Sequence, residues 1–101
     1  MGEYLILFYG DWATTPAAQK KSMDEWTAWF GRLGKSVVEK GGPTMPGKIV
    51  RKSGTRVIGA NPVAGYSVFK ADSLDAAIAL AKGCPSIPDG FQVAVYEIVN
   101  M

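Results

Sequence analysis

Asp11 follows directly on an apolar and aromatic run, Glu3 to Tyr9, and stands beside Trp12. A carboxylate at the mouth of an apolar pocket can act as a general base, because apolar neighbours disfavour its charged form and raise its pKa. The competing role, and the commoner one for an Asp after a strand, is that of a turn or cap residue. Little else in the chain can transfer protons or groups. It has no histidine and one cysteine, Cys84. This excludes a Ser-His or Cys-His nucleophile pair and most metal sites, and leaves no ligands for an iron–sulfur or haem centre. Gly10-Asp11 lacks the further glycines of a dinucleotide loop, and no Gly-rich phosphate loop occurs elsewhere. No cofactor and no metal are expected.

What the chain has in quantity is aromatic surface: three Trp, four Tyr and four Phe. Tyr9, Tyr66 and Tyr96 lie in strand-like segments and can aim hydroxyls into a cleft, although buried tyrosines more often pack their rings and satisfy the hydroxyl locally. Asn61, before Pro62, can anchor a ligand carbonyl or hydroxyl, or simply make an Asn-Pro turn. Trp12 and Trp29 fall off the helical stripe described next, which makes them pocket or interface candidates. Trp26 and Phe30 fit that stripe and read as helix core. Lys48, Arg51, Lys52 and Arg56 form the one local basic excess. They can meet phosphate oxygens, but such runs are more often solvated edges that discourage aggregation. Cys84 reads as a buried, inert thiol.

These residues need elements to hold them. Residues 3 to 9 (EYLILFY) predict a strand buried on both faces, ended by Gly10-Asp11. Thr14, Thr15 and Pro16 suit an early helical turn. Ser22-Met23-Asp24-Glu25 is the stronger start, a capping box in which hydroxyl and carboxylate each bond the other residue's amide. Behind it Met23, Trp26, Phe30, Leu33 and Val37 recur at spacings of three and four and predict one apolar stripe. Gly31 and Gly34 lie inside it and would let another element approach closely. Gly41-Gly42-Pro43 is the expected helix end.

Lys48 to Ile58 predicts a hairpin turning at Lys52-Ser53-Gly54. Gly65 to Ala71 predicts a strand, and Asp72-Ser73 a cap for a short helix faced by Leu74, Ala77, Ile78 and Ala81, with Gly83 as its stop. Phe91 to Val99 is the last strand. The order βαββαβ is the split βαβ, or ferredoxin-like, pattern, with a four-stranded antiparallel sheet and two helices on one face. The whole chain, 1–101, reads as one α+β domain.

Strand alternation adds a partner. In the first strand Tyr4, Ile6 and Phe8 oppose Leu5, Leu7 and Tyr9; in the last, Phe91, Val93 and Val95 oppose Ala94, Tyr96 and Ile98. Two helices can cover only one of these apolar faces, and an exposed apolar patch marks an interface. A homodimer packed through the sheet face is expected. Net charge is +2, too weak to argue for nucleic acid or a membrane surface. A lone cysteine cannot make an internal disulfide, which favours a reducing, cytoplasmic setting. The apolar run near the N-terminus is too short for a signal peptide or a membrane span.

Trp26-Thr27-Ala28-Trp29-Phe30, Leu33-Gly34 and Gly42-Pro43 resemble the first helix of the YCII-related family, also called DGPF-domain proteins. Asn61-Pro62-Val63-Ala64-Gly65-Tyr66, then Ala71 to Ala77, Cys84-Pro85 and the closing strand Val93 to Val99 resemble its second half. That resemblance implies a dimeric α/β barrel, two ferredoxin-like protomers packed sheet against sheet, with a cleft between each sheet and its helices or at the barrel mouth. It does not extend to the His–Asp pair of one branch, because the chain has no histidine. Nor does it reach the Asp-Gly-Pro-Phe motif of the other, where Ala60-Asn61-Pro62-Val63 stands. Poverty of catalytic groups and surplus of aromatics favour a binding protein for a small apolar or aromatic ligand. The alternatives are a cofactor-independent lyase or isomerase with Asp11 as base, and a regulatory or structural module that recognises another chain.

Overall fold

The computed structural model describes residues 2–58 and 62–100. Its first strand, β1 (Gly2–Tyr9), carries Tyr4, Ile6 and Phe8 inward, all essentially buried, and Leu5, Leu7 and Tyr9 on the other side. Helix α1 (Pro16–Leu33) follows, then β2 (Val37–Pro43), a hairpin of β3 (Lys48–Arg51) and β4 (Gly54–Val57), β5 (Val63–Ala71), helix α2 (Leu74–Ala81) and β6 (Gln92–Glu97). Four strands form one antiparallel sheet in the order β2-β5-β1-β6. The protein is thus a mixed α+β fold with two helices and a four-stranded sheet.

Two expectations about α1 need correcting. It starts at Pro16, not at Ser22. The Thr15 hydroxyl accepts a bond from the Ala18 amide at 3.3 Å, and Pro16 sits in the first turn, where its missing N–H costs nothing. The residues from Ala17 to Lys21 are good helix formers, so the turn begun at Thr15 runs through Ser22 without a break. The capping box is therefore interior sequence. The helix also stops earlier than Gly41. Gly34, at φ +52°, caps it with its N–H on the Phe30 carbonyl, and a short 3-10 turn (Gly34–Ser36) leads into Val37. Val37 is thus a strand residue, opposite Phe69 of β5, and β2 supplies the sheet strand that the pattern had assigned to the hairpin. Gly31 and Gly34 face open space, so neither admits another element.

The core lies between the sheet and both helices. Trp29 of α1 and Ala77 of α2 join Tyr4, Ile6, Phe8 and Phe69 in one cluster. The Trp29 ring meets Phe8 and Phe69 edge-on, at centroid distances of 6.0 and 5.9 Å. It also runs against the turn after α2, where a Cβ on Gly83 would stand 2.8 Å from the indole nitrogen. This position needs glycine for closeness.

The opposite face of the sheet is uncovered. Register places Leu5 between Val68 and Tyr96, and Leu7 between Tyr66 and Ala94. Tyr66 and Tyr96 are exposed there. Glu3 and Lys70 pair across the strands at one end of this apolar field. The hairpin β3–β4 forms a separate two-stranded sheet, exposed along its length, with Val50 and Val57 each nearly four-fifths accessible. The molecule is a slab of 43 × 39 × 19 Å with a radius of gyration of 14.6 Å. A compact chain of this length has about 13 Å. Its accessible surface is 7121 Å², whereas a compact monomer of this mass exposes about 5,500 Å².

Candidate functional site

Between α1 and the β2–β5 edge of the sheet lies an apolar cavity of about 600 Å³. Phe8 and Ser67 come from strands that face the helices, and Gly65, with no side chain, leaves room between them. Met23, Trp26, Thr27 and Phe30 come from α1 at helical spacing. Trp12 closes the end from the β1–α1 loop. Lys40, Gly41, Gly42 and Pro43 of β2 form the rim.

The aromatic wall is held in place by its own polar tips. The Trp26 indole donates to the Ser86 hydroxyl at 2.8 Å, and the Trp12 indole donates to the Ala64 carbonyl at 3.0 Å. With those N–H groups satisfied, the rings are fixed and turn apolar surface to the cavity. Phe8 and Trp26 pack edge to face at 4.7 Å, Trp12 and Trp26 at 5.5 Å. The Gln19 side chain donates to the Ala13 carbonyl at 3.0 Å and pins the loop that carries Trp12.

The rim depends on an irregular strand. β2 shifts register against β5 between Val37 and Glu39 and again between Glu39 and Gly42. Gly41 adopts φ +69°, and any Cβ there would run into the Tyr66 carbonyl. Only glycine fits that shape. The buried Ser67 hydroxyl donates to the Lys40 carbonyl at 2.6 Å, which fastens the displaced backbone.

The candidates read from sequence scatter. Trp12 and Tyr66 border the cavity; Tyr66 sits in register with Leu7, which turns its ring toward the uncovered face. Tyr96 is exposed on that same face, and half-buried Tyr9 ends β1 on the Leu7 side. Trp29 is core, not lining. Asp11 is exposed and outside the lining. Asn61 lies outside the described residues.

Trp26 and Phe30, read as helix core, are half-buried and line the cavity instead. Lys40 was overlooked altogether. Its signal was slight, a charge placed just before Gly41-Gly42-Pro43.

Burial pushes the Cys84 thiol above its ordinary pKa, against two backbone N–H groups, of Ser86 and Ile87, that favour the thiolate. Burial thereby favours the neutral thiol. Among the described residues no group of three or more His, Cys, Asp or Glu could hold a metal ion, and no helix is long and apolar enough to cross a membrane. No family model matches the chain, and neither does any curated protein.

Proposed function

We propose that this protein is a YCII-related, ferredoxin-like homodimer of the dimeric α/β barrel type that binds a small apolar or aromatic molecule between α1 and the sheet. The ligand reading is carried by one observation: a cavity of about 600 Å³ walled by fixed aromatic rings. That volume falls within the range of about 300–1,000 Å³ usual for small-molecule sites. Among the described residues the lining holds no carboxylate and no thiol. Binding therefore ranks ahead of proton abstraction.

The strand order β2-β5-β1-β6, with β3–β4 set aside, supports the ferredoxin-like reading. The uncovered face of Leu5, Leu7, Val68 and Ala94 supports the dimer. So does the excess of surface over a compact monomer, about 1,600 Å², against about 800 Å² per partner in a standard interface.

Native mass spectrometry of freshly purified protein tests both parts. The expected spectrum shows a dimer with additional small-molecule mass, or a dimer that takes up an added naphthalene derivative one per protomer. A monomer at all concentrations overturns the dimer; a dimer that binds no aromatic probe overturns the ligand reading. Leu7→Lys, on the open face and away from the cavity, is expected to give a folded monomer.

A further inference from the structure

The cavity carries a chemical preference that its aromatic walls do not express. Among the described residues Lys40 is the one charged side chain on its lining. It makes no ion pair with any described carboxylate. The nearby Glu39 carboxylate is engaged elsewhere, accepting the Gly41 amide at 3.4 Å. The Lys40 ammonium stands 5.7 Å from the centre of the Phe30 ring, itself part of the wall, so the charge lies over the aromatic surface and not away from it.

The backbone that carries Lys40 is irregular and fastened in place. Two register shifts in β2, the left-handed Gly41 and the bond from buried Ser67 to the Lys40 carbonyl all act on this one stretch. A regular strand would need none of them. From this arrangement we infer that the ligand is an amphipathic anion: an aromatic or apolar body seated against Trp12, Trp26 and Phe30, with a carboxylate at its end paired with Lys40. The exposed Lys40 ammonium beside an aromatic wall offers an incoming carboxylate a charge-assisted hydrogen bond at the edge of the cavity. A purely apolar ligand would leave this cation unused.

The inference rests on the ligand reading above, and one experiment separates the two. Tryptophan fluorescence and calorimetry are used to titrate the full chain with 2-naphthoate and with 2-naphthamide, which share a body and differ in charge. The wild-type protein is expected to bind the carboxylate about ten-fold more tightly than the amide, with the gap narrowing as salt is raised. Lys40→Met is expected to keep the fold by circular dichroism and to lose the preference, binding the two probes alike; Lys40→Arg is expected to retain it. Equal binding of both probes by the wild type overturns the role of Lys40 while leaving the pocket standing. A preference that survives in Lys40→Met also overturns it, since the anion is then held elsewhere. Failure of both probes to bind overturns the pocket and the inference together.

Discussion

Helices α1 and α2 lie on the same face of the same sheet, yet α2 buries two alanines in eight residues whereas α1 buries one tryptophan in eighteen. Alanine has almost no volume beyond the backbone, so α2 settles close over β5 and β6. On α1 the sheet-facing positions are Trp26, Trp29 and Phe30. Rings of that size hold the helix away from the strands, and the gap between them is the cavity. Trp29 alone reaches fully into the core and acts as a strut between Phe8 and Phe69. Close packing of Ala77 and Ala81 seats α2 on the sheet beside a more open cleft of about 510 Å³ along Leu74, Ile78 and Val93, whereas stand-off packing makes α1 the wall of a chamber.

Removing the strut is the most severe way to test this contrast. Trp29→Ala is expected to cost about 3–5 kcal/mol, measured by urea unfolding, and to release α1 as well as lower stability. A loss under 1 kcal/mol would mean that α1 is held by something other than Trp29. The next test enlarges one side chain under each helix. Ala77→Leu must overpack a filled site and is expected to cost about 1–3 kcal/mol. Thr27→Leu, facing the cavity, is expected to cost less than about 0.5 kcal/mol while weakening naphthoate binding. Similar costs for both substitutions would break the comparison.

A smaller effect locates the start of α1. Thr15→Ala is expected to cost about 1 kcal/mol, and Ser22→Ala to be neutral or slightly stabilising, since Ala is the better interior helix residue. The reverse result would return the helix start to Ser22.

The smallest effect concerns Cys84, below α2. The folded state holds the thiol proton more tightly than the unfolded chain does. Cys84 therefore adds stability below the ordinary thiol pKa, and that contribution is lost as the pH rises through the raised one. At pH 8 a thiol-disulfide reagent is expected to modify the folded protein slowly and the urea-unfolded protein at once. Equally fast reaction would show an open, reactive thiol.

Much of the sheet was legible in the sequence. β1, β5 and β6 read as strands, and period-two alternation sorts β1 and β6 into two apolar faces without saying which one turns inward. α2 announces itself through Ser73, whose hydroxyl accepts the Ala76 amide at 3.1 Å. β2 was not legible. Its sequence, VVEKGGP, ends in the same residues that stop a helix, and its first valine, Val37, continues the spacing of the α1 stripe. What makes it a strand is the free edge of β5, a partner that local propensity does not see.

The site was less legible than the fold. A period of three and four places Trp26 and Phe30 on the sheet-facing side of α1, but it carries no information about how far the helix stands from the sheet. Side chains on that side become core if the gap closes and cavity wall if it does not. Asp11 drew attention by its place after a strand, yet the turn leaves it in solvent.

The sequence by itself determined the types of β1, the hairpin, β5, α2 and β6, the two-faced apolar sheet and the lack of nucleophile–base pairs, because these depend on residue type and short spacing. Only the tertiary structure decided that α1 and the sheet enclose a chamber, that Trp29 closes the core while Trp26 lines the space, and that Lys40 comes to its rim. Those outcomes depend on the volumes of side chains brought together from residues 8, 26, 40 and 67, and contacts between residues so far apart in the chain form only once the sheet has fixed where each strand and helix lies.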